Sequence, residues 1–240
     1  MQSEKSEMLT IYDENMNPIG ERTRKEVHEN ELRHQTVRLW EIAGGQIWFQ
    51  QRAQNKVLFP GRFDLAATGH IDPGESPMNA ALRETSEEIG LNLTSDDLHS
   101  IGLMPFGFDR PDGKLDNEFA NIYLHMPDKV PKLQISDEVA GLGSMSVRDY
   151  DKLIRTGQPV TMNLYSPESF DGPVPKRIGV KTCGPDDFCC LNKQEWAGVQ
   201  RAVAEYGPKT QIFTKGGHDV SDLPSFDSGQ DGRSDEFCKF

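Results

Sequence analysis

Glu84, Glu87 and Glu88 stand at i, i+3 and i+4 in a segment rich in helix formers, so a helix there puts three carboxylates on one face. Like charges so close repel, and a hard cation with oxygen ligands relieves the repulsion. Divalent-metal chemistry is therefore the first reading of the stretch from Gly69 to Leu91. Its local signals agree. Asp72-Pro73-Gly74 predicts a turn, because proline presets φ and glycine accepts positive φ. Ser76 predicts an N-cap with Pro77 at the first helical position. Ala80, Ala81 and Leu82 favour helix, and Gly90 predicts its stop. Arg83 falls on a neighbouring face and is expected to pair with Glu75 across the turn. A solvated acidic helix face is the plainer alternative. It would not require Gly69, Glu75, Arg83 and Gly90 at these separations.

Gly69, Glu75, Arg83, Glu84, Glu87, Glu88, Gly90 and Leu91 together resemble the signature box of the Nudix hydrolases. Thr85 stands where that family prefers an aliphatic residue. The resemblance implies an α/β fold, an α/β/α sandwich with a mixed sheet. It implies a metal-dependent pyrophosphohydrolase, cleaving a diphosphate linkage in a nucleoside diphosphate derivative or related small molecule. Mg²⁺ or Mn²⁺ would be held by Glu84, Glu87 and Glu88, with Gly69 in the metal-binding set and Arg83 in the catalytic set. Glu88, or Glu138 on a later loop, would take the proton of the attacking water. Arg52, Lys56 and Arg62 precede the box and are candidates to meet phosphate oxygens, with ordinary surface charge as the alternative. Trp40, Trp48 and Phe63 could stack on a ligand ring, but core packing is the favoured reading.

A second likeness precedes the box. His28 to Trp40, Gln50-Gln51-Arg52 and Phe59-Pro60-Gly61-Arg62-Phe63-Asp64 resemble the branch that includes isopentenyl-diphosphate isomerase. That resemblance implies a metal site of three histidines and two acids, near His28, His34, His70, Asp116 and Glu118 here. Such a set suits Mn²⁺, Zn²⁺ or Fe. The competing reading has His28 exposed on a helix and His34 held by strand backbone. Two departures separate the chain from the isomerase. Thr68 stands where the isomerase carries a cysteine, and a hydroxyl is a far poorer acid or base than a thiol. Arg83, Glu84, Glu87 and Glu88 keep the hydrolase box intact. Isomerase activity and a non-catalytic ligand-binding module remain the alternatives to hydrolysis.

The elements that must position these residues follow from pattern. Strands are expected at 8–13, 34–42, 46–52, 65–68, 100–108, 118–126 and 138–145, with helices at 23–30, 146–155 and 192–206. Turns are expected at 14–20 and 109–117, and the Pro- and Gly-rich stretch 161–184 reads as irregular. The predicted organisation is a Nudix hydrolase domain over 1–156, a C-terminal helical extension over 157–213 and a disordered tail over 214–240.

The 240 residues carry a formal net charge of −12, which disfavours a nucleic-acid polymer as partner. No apolar run approaches a membrane span, and the polar first twenty residues carry no signal-peptide core. The four cysteines all lie in the last quarter without a Cys-x-x-Cys pair. Free thiols and a cytoplasmic location are the expectation. The expected partner is a small-molecule diphosphate, and a homodimer stays open.

Overall fold

The computed structural model describes residues 7–172 and 174–207. Its centre is β3 (His34–Ala43), a ten-residue strand buried along nearly its whole length. Burial on both faces explains its near-continuous run of Val37, Leu39, Trp40 and Ile42. Around it lie β1 (Met8–Tyr12), β4 (Gln46–Arg52), β6 (Ala67–His70) and β8 (Leu115–His125). The pairing of β3 with β8 is parallel, while β3 meets β1, β4 and β6 antiparallel. The sheet is therefore mixed. It extends through β9 (Val139–Ser146), β10 (Val160–Tyr165) and β11 (Gly179–Cys183) at one edge and β2 (Pro18–Thr23) at the other. The short strand β5 (Phe63–Leu65) pairs β4, and β7 (Leu98–Asp109) pairs β8.

Helices cover both faces, which gives the α/β/α sandwich. On one face α2 (Pro77–Ile89) buries Ala80 and Ala81 against Val37, Leu39 and Ala67. On the other, α3 (Val147–Thr156) and α4 (Lys193–Tyr206) bring Tyr150, Leu153, Trp196 and Val199 against Trp40, Phe49 and Phe106. Trp40, Trp48 and Phe63 are all core residues, at most 2% exposed. The helix starts follow the capping chemistry read from the sequence. Ser76, Ser146 and Asn192 each accept a backbone N–H from the third residue on. Thr23 and Glu26 close a capping box on α1 (Arg24–Glu29).

Three strands depart from expectation. β2 occupies part of the 14–20 turn region and is exposed along its length, so it carries no alternating apolar signal. β10 and β11 lie inside the Pro- and Gly-rich stretch, so 157–213 holds two strands besides its helix. Both join the main sheet, and α4 shares the main core. The expected tail falls outside the described residues. Cys183 and Cys189 are free and buried. Among the described residues no helix is long and apolar enough to cross a membrane.

Candidate active site

Strand β6 ties the site together, with three consecutive residues doing different work. The Thr68 backbone N–H donates to Glu88 Oε2 at 2.8 Å, and the Gln50 amide donates to the same oxygen at 2.7 Å. At Gly69 an added Cβ would stand 2.1 Å from Glu84 Oε1, so any larger residue there would have to displace that carboxylate. The His70 carbonyl accepts from Arg83 Nη2 at 2.9 Å, fastening α2 to the strand.

Arg83 makes the expected bond to Glu75 as a bidentate pair, Nε–Oε1 3.1 Å and Nη2–Oε2 2.9 Å. Its Nη1 also donates to Glu84 Oε1 at 2.7 Å and reaches Glu87 Oε2 at 3.4 Å. The three box carboxylates thus share a helix face but not an environment. Glu88 is buried, Glu84 is mostly buried, and the Glu87 side chain is 61% exposed. Burial pushes Glu88 up to about 8, helped by the nearby Glu84 charge. Burial likewise pushes Glu84 up to about 7, against the pull of Arg83. These are carboxylates short of positive charge, and a divalent cation among their oxygens would keep them ionised. Thr85, the family's off-pattern residue, is fully buried and returns its hydroxyl to the Ala81 carbonyl at 2.6 Å. Its hydroxyl is thereby satisfied and its methyl packs.

A second cluster lies beside the box. His28, His34 and His70 stand with ring centroids 5.1–5.4 Å apart. Asp116 Oδ1 lies 3.5 Å from His28 Nε2 and 3.6 Å from His34 Nε2. One ligand atom from each of the three histidines, and from His34, Asp116 and Glu118, falls within 4.8 Å of the others. His28 is only 12% exposed in its side chain, so it is not a surface helix residue. Each Nδ1 is committed, to the Arg24 carbonyl (2.8 Å), the Leu32 carbonyl (3.0 Å) and Glu7 Oε1 (2.9 Å). Those acceptors have no proton to give, so Nδ1 donates and each neutral ring presents an Nε2 lone pair. His34 Nε2 and Asp116 Oδ1 are buried without a hydrogen-bond partner. Burial holds His28 down at about 3 and His70 at about 4, and pushes Asp116 and Glu118 up to about 7. Neutral imidazoles and carboxylates with unused lone pairs fit a transition-metal ion. The box glutamates are not part of either group.

The basic candidates have partners of their own. Lys56 pairs with Glu138, on a loop that meets the glutamate helix where the Ser136 N–H donates to the Glu88 carbonyl at 3.3 Å. Arg52 donates to the Leu58 carbonyl at 3.1 Å and lies 3.6 Å from Asp64. Arg62 donates to the Phe188 carbonyl at 3.3 Å and lies over the Phe59 ring. Sequence reasoning missed a buried network behind them. Arg38 lies 3.9 Å over the Phe106 ring, donates to Glu195 at 3.0 Å and reaches Asp64 at 3.8 Å. Trp40 Nε1 donates to the same Glu195 oxygen at 2.8 Å. A lone arginine within the apolar run of β3 was the available signal. Glu7 carried no signal, because only folding brings it 63 residues along the chain to His70.

A family model described as the NUDIX domain matches residues 32–164. An uncharacterized Nudix hydrolase of Clostridium acetobutylicum is 35% identical over 156 residues, which cover 62% of this chain and 73% of that protein. An isopentenyl-diphosphate Delta-isomerase of Serratia proteamaculans is 30% identical over 127 residues, 52% of this chain and 69% of the isomerase. Among solved structures, DR0079 from Deinococcus radiodurans aligns with a TM-score of 0.48 and 21% identity, over 62% of this chain and 87% of that one.

Proposed function

The chain belongs to the Nudix family, and on that premise we propose that it is a divalent-metal-dependent pyrophosphohydrolase. Its substrate would be a nucleoside diphosphate derivative or a related small diphosphate. The observation that carries the reading is the pair of buried box carboxylates, Glu84 and Glu88, packed onto β6 with exposed Glu87 beside them. Mg²⁺ or Mn²⁺ held by Glu84, Glu87 and Glu88 would neutralise diphosphate oxygens and acidify a water.

The protein's own groups supply the rest. Gly69 leaves room for Glu84, and Gln50 with the Thr68 N–H fixes Glu88, so the ligands stand pre-oriented. Arg83 holds the loop through Glu75 and balances charge among the glutamates. Glu138, on the loop joined to α2 through the Ser136 N–H and the Glu88 carbonyl, would accept the proton of the attacking water. Arg52, at the end of β4, and Arg62, on the loop that follows, would meet the phosphate being released.

The test is metal-dependent release of phosphate or phosphomonoester from a panel of diphosphates, with Glu87→Gln beside the wild type. We expect kcat to fall by roughly two to three orders of magnitude in the variant, with modest loss of ligand affinity. No metal-dependent turnover on any diphosphate would overturn the proposal. A second reading, isomerisation of isopentenyl diphosphate, is favoured by the His28, His34, His70, Asp116 and Glu118 cluster. Thr68 in place of a thiol counts against it. Double-bond migration without hydrolysis would select it.

A further inference from the structure

Glu31 stands in the left-handed region, at φ 55°, where an L side chain is strained. Its place in the chain explains the conformation but not the residue type. Just past the end of α1, the Leu32 N–H donates to the Val27 carbonyl at 2.9 Å, and Leu32 packs against Val27. Such a helix ending turns on one left-handed residue, and glycine takes that position without strain. Chain reversal alone would be better served by glycine, so the Glu31 side chain has other work.

Its partners show what that work is. Glu31 Oε1 accepts from the Leu115 N–H at 3.0 Å, and the Glu31 carbonyl accepts from the Asn117 side-chain amide at 3.2 Å. Leu115 and Asn117 flank Asp116, whose Oδ1 lies 3.5 Å from His28 Nε2 and 3.6 Å from His34 Nε2. One residue therefore grips β8 on both sides of the acid in the histidine cluster. Glu31 itself lies midway in the chain between His28 and His34. Lys114 Nζ donates to the Glu29 carbonyl at 3.0 Å, so the start of β8 docks on the same corner.

The sheet does not supply this hold. The parallel ladder of β3 and β8 begins at His34 and Glu118, so Asp116 lies ahead of its first rung. The ladder partner of Asp116 is Phe108 on β7, on the side of β8 away from β3. His34 Nε2 and Asp116 Oδ1 have no hydrogen-bond partner, so these two groups do not hold each other in place.

We propose that Glu31 is a positioning residue of the histidine cluster. It accepts backbone strain at the end of α1 and, in exchange, holds Asp116 where one ion can meet it together with His28 and His34. The role rests on the cluster holding a metal ion and not on hydrolysis at the box.

Zn²⁺ binding to the full chain is measured by calorimetry in excess Mg²⁺, which competes for the box glutamates. The binding heat that His28→Ala abolishes belongs to the cluster. Glu31→Gly keeps the turn and loses the side-chain clamp. Its Zn²⁺ affinity should fall at least about tenfold. Its melting temperature should stay at or above that of the wild type, because relief of strain offsets the lost hydrogen bond. Glu31→Gln removes the charge but keeps an oxygen for the Leu115 N–H, and should bind Zn²⁺ as the wild type does. Wild-type affinity in Glu31→Gly would overturn the proposal. So would equal weakening in both variants, which would make the charge and not the clamp responsible. Weakening of Glu31→Gly with a lowered melting temperature would reduce Glu31 to a fold-holding residue, and would also overturn it. Absence of the cluster heat in the wild type would retire the metal site and this role together. Diphosphate turnover is followed in parallel, and its absence beside a weakened Glu31→Gly would retire the hydrolase reading alone.

Discussion

Replacing Glu88 by Gln should make the metal-free protein more stable at alkaline pH while removing activity. The glutamine carbonyl can still accept from the Thr68 N–H and the Gln50 amide, so the two bonds at 2.8 and 2.7 Å survive. Only the ionisable charge is lost. In the folded protein, burial holds the Glu88 carboxyl at about 8, against an ordinary value of 4.5. The unfolded chain therefore gives up its proton first. Near pH 6 the native state binds about one more proton here than the unfolded state, and at pH 8 about half a proton more, so stability falls as pH rises. The slope starts at about 1.4 kcal/mol per pH unit and flattens as the folded group titrates, for a loss of about 2 kcal/mol across this window. Above about pH 9 both states are ionised and the loss levels off. In Glu88→Gln this contribution vanishes. Urea unfolding in chelator at pH 6, 7, 8 and 9 gives the comparison directly. The reasoning is refuted if wild type and variant lose the same stability between pH 6 and pH 8.

Further outcomes follow from other contacts. Glu7→Gln weakens the acceptor that orients His70, so affinity for Zn²⁺ or Mn²⁺ at the histidine cluster should drop roughly 10- to 100-fold; calorimetry with the metal alone reads it. Unchanged affinity would show that Glu7 does not orient that ring. Glu195→Ala strands the buried Arg38 guanidinium and the Trp40 indole N–H, and should cost about 3–5 kcal/mol in chemical denaturation. Gly69→Ala drives a methyl into the Glu84 carboxylate, so kcat should collapse while the melting temperature moves little. A variant of normal activity would mean that Glu84 can relocate without harm.

The local chemistry of the chain was readable because it is local. Turn, cap, helix and stop around α2 each depend on residues within a few positions, and Ser76, Pro77 and Gly90 act there as their types dictate. The capping box of α1 and the Asn192 cap of α4 were legible for the same reason. Edge strands were not. β2 and β11 bury little, so neither alternation nor composition marks them, and only pairing with β1 and β10 makes them strands.

By itself, then, the sequence determined the family, the helix that carries the glutamates, and which residue types stand ready for metal chemistry. The tertiary structure decided their electrostatic states. Glu84, Glu87 and Glu88 are alike in sequence, yet burial against β6 lifts Glu88 to about 8 and Glu84 to about 7 while Glu87 stays in water. It also decided which distant groups complete the site. Glu7 meets His70 and Glu195 meets Arg38, through contacts that form only when the strands find their register. Local propensity acts over a few residues, whereas desolvation and Coulomb forces depend on distance in space, and only the folded chain fixes that distance.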